Sequence, residues 1–272
     1  MVALVTGCRS GFGLLIAQTL GRAGHTVYAG LRDPSTADGL REACAGLDVF
    51  PVALDVTSEE DRLAVVERIL AEHGRIDALI NNAGIGLGGF VELLERDELQ
   101  RVMEVNFFGL WELMRLVIPG MRERGDGLIM NVTSMAGRMA NPGLGAYSAS
   151  KFAVEGMTES LRHELRPFGV RVVLVEPGPF KTDIFTRNRN EARHLAGDHP
   201  YSSQQASLQD IVDNKARLGD PQDIAELVLT LMTKKNPRLR YALGPTTGLR
   251  LGLQKWLPWA VQEAVYKKVL GF

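Results

Sequence analysis

The chain has 272 residues, of which 45% are hydrophobic and 23% charged, as in an ordinary folded globular protein. Its formal charge of −1 gives no positive field for holding nucleic acid, so we expect no nucleic-acid partner. No apolar run reaches the roughly 18 residues of a membrane-spanning helix, so we expect no transmembrane segment. Two cysteines, Cys8 and Cys44, are too few for a disulfide framework and favour a reducing, cytoplasmic compartment.

Seven short apolar runs alternate with amphipathic helical segments along the chain. This order predicts an α/β protein with helices on both faces of a parallel sheet, a Rossmann-type doubly wound, three-layer α/β/α sandwich. The predicted strands are Val2 to Thr6, Thr26 to Leu31, Val49 to Leu54, Ala78 to Asn81, Gly127 to Thr133, Arg171 to Glu176 and Arg238 to Leu243. No repeat or linker divides the chain, so we predict a single domain over residues 1–272.

Two of the helical segments carry terminal signals. Thr57 to His73 has apolar residues on one face, and Thr57 and Glu60 have the spacing of a capping box. Pro221 precedes the last helix of the sheet, Ile224 to Met232, and is suited to a helix start.

A glycine-rich turn follows the first predicted strand. It reads Thr6-Gly7-Cys8-Arg9-Ser10-Gly11-Phe12-Gly13 and leads into the helical run Leu14 to Leu20. Its glycines allow a tight turn and let a pyrophosphate approach the amide groups of a helix N-terminus. A glycine turn without a ligand produces the same letters, but the position inside a βαβ unit favours a dinucleotide site.

The second predicted strand ends without an acidic residue. A carboxylate at this point holds the ribose hydroxyls of NAD, whereas here Leu31 is followed by Arg32. A cation can pair with the 2′-phosphate of NADP, and Arg9 in the glycine turn is a second candidate. We therefore expect NADP(H) rather than NAD(H); the alternative is that Arg32 is an ordinary surface residue.

A tyrosine and a lysine stand four residues apart at the start of a predicted helix. Tyr147 and Lys151 therefore share one helix face, where an ammonium would stabilise phenolate and lower the tyrosine pKa towards the working range. Ser134 ends the fifth predicted strand, at the sheet edge where ligands bind, and its hydroxyl can donate to a substrate oxygen.

These residues resemble the classical short-chain dehydrogenase/reductase family over nearly the whole chain. The matching positions, in family order, are Thr6-Gly7 with Gly11 and Gly13, Asp55-Val56, Asn81-Asn82-Ala83-Gly84, Asn106, Ser134, Tyr147 with Lys151, and Pro177-Gly178 followed by Thr182. The resemblance implies a nicotinamide-dependent enzyme that acts on an alcohol or a ketone.

The resemblance also implies a role for each catalytic residue. Tyr147 is the acid/base, Ser134 holds the substrate oxygen, and Lys151 binds the nicotinamide ribose and lowers the tyrosine pKa. Asn106, a lone polar residue in the apolar helix Val102 to Met121, anchors a water that links the lysine to solvent.

A larger set is implied to bind the cofactor. Asp55 and Val56 flank the adenine, Asn82 to Gly84 line the adenosine ribose, and Thr182 binds the carboxamide. The full set is Gly7, Arg9, Ser10, Gly11, Phe12, Gly13, Arg32, Asp55, Val56, Asn82, Ala83, Gly84, Tyr147, Lys151, Pro177, Gly178, Phe180 and Thr182. We assign no metal ligand.

The substrate is expected to be a bulky, apolar alcohol or ketone. Leu31-Arg32-Asp33-Pro34 and Phe152-Ala153-Val154-Glu155-Gly156, with the glycine turn, are similar to the branch of hydroxysteroid and retinol dehydrogenases. The loops expected around the reacting carbon carry Ile85, Leu87, Phe90, Met135, Met139, Leu144, Phe180 and Phe185. Each of these is also an ordinary core residue; together they favour an apolar pocket.

Two segments lie outside the regular alternation. Residues 185–218 are polar and irregular, and we predict a substrate lid there; a solvated loop is the alternative. In the amphipathic tail, residues 250–272, Leu257, Val261, Val265 and Val269 share a helix face that Pro258 can start. That face is expected to close the pocket or pack on a partner subunit; association with a membrane surface is the alternative.

Two further expectations concern assembly and activity. The resemblance implies a homodimer or homotetramer formed through the helices that contain Asn106 and Tyr147. A dinucleotide-binding sensor without turnover uses the same sheet, but such a sensor has no need of Ser134, Tyr147 and Lys151 together. We therefore predict an enzyme.

Overall fold

The chain folds around a seven-stranded parallel sheet. The computed structural model describes residues 1–181, 189–210 and 218–270. The strands are β1 (Val2–Thr6), β2 (Thr26–Leu31), β3 (Val49–Ala53), β4 (Ala78–Asn81), β5 (Gly86–Gly88), β6 (Gly127–Val132), β7 (Val170–Pro177), β8 (Arg189–Glu191) and β9 (Arg240–Leu243). The helices are α1 (Gly11–Arg22), α2 (Asp38–Ala43), α3 (Glu59–His73), α4 (Arg96–Met103), α5 (Gly109–Arg124), α6 (Gly145–Leu165), α7 (Ser202–Asp210), α8 (Gln222–Thr233), α9 (Thr247–Trp256) and α10 (Trp259–Leu270).

The strand order creates a crevice at one edge of the sheet. The order is β3-β2-β1-β4-β6-β7-β9, and every neighbouring pair in it is parallel. From β1 the chain adds β2 and β3 on one side, and it then returns to add β4 on the other side of β1. The loops that follow β1 and β4 therefore diverge at the carboxyl edge of the sheet. A doubly wound sheet binds its ligand at this switch point. The predicted Rossmann-type class is confirmed.

Two apolar cores lie on opposite faces of the sheet. Successive strand residues point to opposite faces, so Ala3 and Val5 pack with α1, α2 and α8, whereas Leu4 and Leu79 pack with α3, α5 and α6. All five residues of β1 are buried. Burial on both faces explains why the sequence shows continuous apolar runs rather than alternation in the strands.

The predicted boundaries agree with the structure to within two residues for the strands of the main sheet, but one predicted cap is wrong. Helix α3 begins two residues after Thr57, and its cap is Ser58, whose hydroxyl accepts from the amide of Asp61 at 3.2 Å. Thr57 instead donates both its amide and its hydroxyl to the Asp55 carboxylate. Two adjacent hydroxyl residues offer two possible starts, and local spacing does not choose between them.

A π-helical turn joins α4 and α5. It spans Glu104–Phe108 and contains Asn106, so the predicted helix Val102 to Met121 is part of a longer, interrupted one. Such turns occur often at functional sites, because the extra residue re-aims a side chain. Periodicity in the sequence does not reveal the insertion.

The predicted lid segment contains regular structure in its described part. Strand β8 pairs with β5, a short strand that the sequence did not predict, in a second two-stranded parallel sheet. Helix α7 follows, and Phe185 lies outside the described residues. The irregular loop expected here is therefore wrong for this part, whereas the lid function stays a prediction.

The predicted apolar face of the tail does not close the pocket. Pro258 precedes α10 as expected, but Leu257, Val261 and Val265 are exposed, and the side chain of Val269 lies outside the described set. Other side chains hold the helix to the body: Tyr266 donates to the carbonyl of Ala140, and Leu270 is buried.

The sequence predicts no disulfide, no transmembrane segment and no metal ligand, and the described residues bear on each of these expectations. Cys8 and Cys44 are free and buried, so neither forms a disulfide. Within the described ranges, no helix combines the length and apolar character of a membrane span. The same ranges contain no group of three or more metal-ligating side chains.

Candidate active site

A cleft of about 830 Å³ opens at the carboxyl edge of the sheet, at the switch point between β1 and β4. Loops after six strands of the main sheet contribute to its walls, so residues far apart in the sequence meet there. Most of the predicted site residues line it: Gly7, Arg9, Ser10, Gly11, Phe12, Arg32, Asp55, Val56, Asn82, Ala83, Gly84, Ser134, Tyr147, Lys151, Pro177, Gly178 and Phe180. Thr182 lies outside the described residues.

The glycine turn forms the floor of one end of the cleft. Gly7 has φ +73°, and a Cβ there would stand 2.8 Å from the Cα of Ala83, so glycine is required for both reasons. A Cβ on Gly13 would collide with the carbonyl oxygen of Gly7. Gly13 is buried and does not line the cleft. Its role is to let α1 pack against the turn, which differs from the expected contact with the cofactor.

The N-terminus of α1 suits a pyrophosphate. Ser10 is the cap residue, its side chain makes no capping hydrogen bond, and the first turn contains no acidic residue. The amide groups of this turn and the positive end of the helix dipole face the cleft, which favours an anion.

Two arginines stand at the adenosine end of the cleft. Arg32 and Arg9 are both exposed and both line it. The carboxylate of Asp33 accepts from the amide of Ser35 at 2.9 Å and caps a short 3₁₀ turn. Hydrogen bonds from the hydroxyl and the amide of Ser35 lower the pKa of Asp33, and the residue is exposed.

Asn82 ties the loop after β4 to the glycine turn. Its side-chain amide donates to the carbonyl oxygens of Thr6 and Gly7, at 2.9 and 3.2 Å. The Thr6 hydroxyl accepts from the amides of Asn82 and Ala83. These contacts position the loop, so the predicted residues Asn82 to Gly84 line the cleft while also building it.

Ser134, Tyr147 and Lys151 meet in the middle of the cleft. Ser134 follows β6, and its hydroxyl hydrogen-bonds with Tyr147 and accepts from the amide of Ala136 at 3.0 Å. The Lys151 ammonium lies 5.7 Å from the centroid of the Tyr147 ring and donates to the carbonyl of Val132 at 3.0 Å. The structure thus brings these three predicted site residues together in one cleft, and their catalytic roles stay a prediction.

The pKa values of the pair differ from the sequence-based expectation. Burial raises the pKa of Tyr147 to about 12, and the hydrogen bond with Ser134 only partly opposes this. Burial lowers the pKa of Lys151 to about 8, against the opposing charge of Glu155. The lysine was expected to lower the tyrosine pKa, but here desolvation is the larger effect.

Asn106 lies behind the cleft rather than in its wall. Its side-chain amide donates to the carbonyl of Ile85 and to the hydroxyl of Ser150, both at 3.0 Å. Its carbonyl oxygen accepts from the amide of Ile85 at 2.8 Å. The fully buried side chain is therefore paired, and it fixes the loop beside Gly84 to helix α6.

A buried charge cluster, which the sequence analysis missed, stands one helical turn beyond Lys151. Glu155 accepts from the Thr133 hydroxyl at 2.6 Å and pairs with Arg240 at 3.0 Å. Glu176, fully buried, pairs with both Arg138 and Arg240. The partners are up to 85 residues apart in the chain, so no local spacing reveals them.

The apolar residues expected around the reacting carbon divide into two groups. Ile85 and Phe180 line the cleft. Leu87 and Phe90 do not: Leu87 packs with Val102 and Ala146 in a small core, and Phe90 stacks on Tyr201 with ring centroids 4.5 Å apart. Leu87 and Phe90 thus belong to two small cores outside the cleft, and their assignment to the pocket is wrong. Met135, Met139 and Leu144 are also absent from the lining of the cleft, and Phe185 lies outside the described residues.

Other lining residues were absent from the prediction. They are Leu31, Asp33, Thr36, Leu54, Thr57, Arg101, Glu104, Val105, Val132, Thr133 and Asn190. Several of these residues follow the ends of predicted strands. Ligands of such a sheet bind there, so this position in the sequence could have identified them. Arg101 and Asn190 come from a helix and a distant strand, where only tertiary packing brings them to the cleft.

Comparison with known proteins agrees with this site. The family model described as short chain dehydrogenase matches residues 1–193. The chain belongs to the short-chain dehydrogenase/reductase family. It is therefore an oxidoreductase of a family that acts on CH–OH and keto groups.

Two curated relatives have names that refer to different substrates. A 3-ketodihydrosphingosine reductase from Bacteroides thetaiotaomicron is 39% identical over 259 residues, which cover 94% of this chain and 93% of the relative. The 17-beta-hydroxysteroid dehydrogenase type 1 of Homo sapiens is 35% identical, with 88% of this chain and 76% of the relative covered.

Solved structures of family members have the same fold. A short-chain dehydrogenase from Streptomyces avermitilis superimposes with a TM-score of 0.82 at 33% identity, covering 97% of this chain and 98% of that one. An actinorhodin polyketide ketoreductase with NADPH has a TM-score of 0.75 at 29% identity, with 91% and 97% covered. A 3-ketoacyl-(acyl-carrier-protein) reductase from Brucella melitensis with NADH has a TM-score of 0.74 at 31% identity, with 89% and 95% covered.

Proposed function

We propose that this short-chain dehydrogenase/reductase transfers hydride between NADP(H) and a bulky, apolar secondary alcohol or ketone. The observation that carries the proposal is the convergence of Ser134, Tyr147 and Lys151 in the same cleft as the glycine turn. When bound, the nicotinamide would supply or accept the hydride. The chain's own residues bind and orient the oxygen and move its proton.

Tyr147 is assigned the acid/base role and Ser134 the role of holding the substrate oxygen. With its pKa raised to about 12, the Tyr147 phenol carries its proton at neutral pH, which is the form that protonates the oxygen of a ketone during reduction. The phenolate that remains is stabilised by the nearby ammonium of Lys151. Asn106 is assigned a positioning role for the loop beside the lysine.

The cleft suits a dinucleotide, and residues of its wall are assigned to binding that cofactor. The free amides at the start of α1 suit the pyrophosphate, and Asp55 to Val56 and Asn82 to Gly84 are assigned to the adenosine half. Pro177, Gly178 and Phe180 are assigned to the nicotinamide half. Thr182, outside the described residues, is assigned to the carboxamide.

The preference for NADP(H) rests on Arg32 and Arg9. Relatives of known structure contain NADPH in one case and NADH in another, so family membership alone does not choose. Leu31 at the end of β2 offers no carboxylate to the ribose hydroxyls of NAD, while both arginines line that end of the cleft. A charged contact of about 1.5–3 kcal/mol gives roughly a tenfold to hundredfold preference.

The proposed substrate is large and apolar. Ile85 and Phe180 bring apolar side chains into the cleft beside the reacting groups. The names of two relatives, a ketodihydrosphingosine reductase and a hydroxysteroid dehydrogenase, refer to large apolar molecules and support this class.

The substrate class is tested with NADPH oxidation across a panel of ketones, and with NADP reduction across the matching alcohols. Turnover of aryl, steroid or long-chain ketones is expected. Activity confined to small charged hydroxy acids or sugars would contradict the substrate class. Absence of turnover with every compound, together with tight NADPH binding, would favour the sensor without turnover.

The cofactor preference is tested by comparing kcat/KM for NADPH and NADH. The wild type should prefer NADPH by about tenfold to hundredfold, and Arg32→Ala should lose most of that preference. Leu31→Asp should favour NADH, because its carboxylate would repel the 2′-phosphate. Equal use of both cofactors by the wild type would overturn the assignment.

A further inference from the structure

Helix α9 presents an apolar stripe to solvent. Leu249, Leu253 and Trp256 are spaced four and three residues apart and therefore share one face. Leu249 is 64% and Trp256 81% exposed. The other side of the helix already packs on the body through the buried residues Thr247 and Leu251. The stripe is thus a second apolar face, with no partner among the described residues.

Helix α10 also exposes apolar residues to solvent. Trp259 is 66% exposed, and Val261 and Val265, four residues apart, are also exposed. The inward contacts of the helix are made by Tyr266 and Leu270 instead. We name the exposed set the tail face; its members are Leu249, Leu253, Trp256, Trp259, Val261 and Val265.

Positive charge predominates in the segment that carries the tail face. Residues 247–270 contain four cations, Arg250, Lys255, Lys267 and Lys268, and a single carboxylate, Glu263, in a chain whose overall charge is −1. The Lys255 ammonium lies 5.7 Å from the ring centroid of Trp256, so cation and indole stand together. The other indole, of Trp259, donates to the carboxylate of Glu263 at 2.9 Å. An exposed indole next to a lysine is a combination found where a protein meets lipid headgroups.

A second copy of the chain fits this surface less well. A twofold interface brings the same patch of both copies together, so the four cations of each tail would face those of the other. Lysine is depleted in protein interfaces, whereas anionic lipid attracts it with about 1 kcal/mol for each residue near the surface. Charge complementarity therefore selects the lipid.

We propose that the tail face docks this protein on the surface of an anionic lipid bilayer. The tail also contacts the loop that follows Ser134: Gln254 donates to the carbonyl of Arg138 at 3.1 Å, and Tyr266 contacts Ala140 and Asn141. Docking therefore turns the loop that follows Ser134 towards the bilayer, which suits a substrate that dissolves in the bilayer. The docking itself does not depend on the proposed reaction.

The test is flotation of the purified full-length chain with large unilamellar vesicles. Phosphatidylcholine vesicles that contain phosphatidylglycerol should carry the wild type upwards, less so as salt is added, and pure phosphatidylcholine vesicles should carry much less. The double variant Trp256→Ala/Trp259→Ala should lose at least about tenfold in partitioning. Lys267→Glu/Lys268→Glu should lose at least about tenfold on anionic vesicles only.

Matched controls come from the opposite, amino edge of the sheet. Phe168 is an exposed aromatic residue just before β7, and Lys235 is an exposed cation before β9. Phe168→Ala and Lys235→Glu should float like the wild type. Native circular dichroism and unchanged reduction of a water-soluble aryl ketone by NADPH, measured without vesicles, establish that the tail variants are folded.

Three outcomes overturn the proposal. In the first, the wild type stays at the bottom with anionic vesicles; in the second, the tryptophan variant floats as well as the wild type. In the third, sedimentation velocity shows that the tryptophan variant loses an oligomer which the wild type forms, so that the face is a contact between copies. A wild type that floats but reduces no ketone would remove the proposed function and leave the docking intact.

Discussion

The charge state of Lys151 is set by two opposing influences. Burial favours the neutral amine and lowers its pKa to about 8, while Glu155, one turn along α6, favours the ammonium. Glu155 is itself held in place by Thr133 and Arg240. Glu176 and the exposed Glu159 pair with the same arginine, and Glu176 also pairs with Arg138. Glu155 therefore acts as a positioning residue, through the charge of Lys151.

Removal of the Glu155 charge should change the pH profile of ketone reduction. In the proposed mechanism protonated Lys151 stabilises the phenolate of Tyr147, so kcat/KM should fall as pH rises through the pKa of the lysine. Glu155→Gln removes the influence that raises this pKa, and the alkaline limb should move to lower pH by about half a unit or more. Glu159→Gln, which also loses a bond to Arg240, is the control and should keep the wild-type limb. An unchanged or raised limb in Glu155→Gln would remove this role.

The proximity of Tyr147 and Lys151 was predictable at this scale, but the electrostatics of the two residues were not. Tyr147 and Lys151 are four apart in a helix, and that spacing alone places them together. The pKa shifts depend on burial and on Glu155, whose partners come from other elements. The same limit applies to Asn106, since its partners Ile85 and Ser150 are each more than 20 residues away.

At the scale of elements, α1 must pack closely on the turn that precedes it. Gly13 has no room for a side chain, because a Cβ would collide with the backbone of Gly7. Backbone atoms cannot move aside as a flexible side chain can. The glycine motif thus has two functions, and the structure separates the residues that line the cleft from the one that seats the helix.

Gly13→Ala should therefore lower stability as well as cofactor affinity. We expect the free energy of unfolding in urea to fall by about 2 kcal/mol or more, and NADPH to bind more weakly. Gly39→Ala in α2 is the control: a Cβ there meets no atom within 4 Å. It should leave stability unchanged or raise it by up to about 1 kcal/mol. Wild-type stability in Gly13→Ala would show that the turn can relax.

The strands of the main sheet were well predicted, whereas elements that depend on distant partners were not. Each main strand is a buried apolar run with a recognisable end. By contrast, β5 is the short segment Gly86–Gly88, and it forms a strand only because Arg189–Glu191 pairs with it about 100 residues later. The π turn at Asn106 likewise reflects packing against α6 rather than a local signal.

At the scale of the whole molecule, α5 and α6 carry exposed aromatic residues. Phe108 and Trp111 lie in or near the start of α5 and Phe152 lies in α6, and each is more than a third exposed. These are the helices through which a homodimer or homotetramer was predicted. Aromatic residues are enriched in interfaces between subunits, so this surface is the proposed contact, separate from the tail face.

Trp111→Glu should weaken that assembly. A carboxylate placed in an apolar contact loses its hydration without gaining a partner, so the subunit dissociation constant should rise by at least about tenfold. Sedimentation velocity across a concentration series measures it, with Phe168→Ala as the control. A wild type that is monomeric at every concentration, or an oligomer that Trp111→Glu leaves intact, would contradict the proposed contact.

Tyr147 is the proton donor and acceptor of the proposed reaction, and Tyr147→Phe tests this role most directly. The substitution removes the hydroxyl and little else, so turnover with NADPH and a ketone should fall by at least about two orders of magnitude. The dissociation constant for NADPH, measured by fluorescence titration, should change by less than about threefold. A Tyr147→Phe enzyme that retained most of the wild-type turnover would contradict the assigned chemistry.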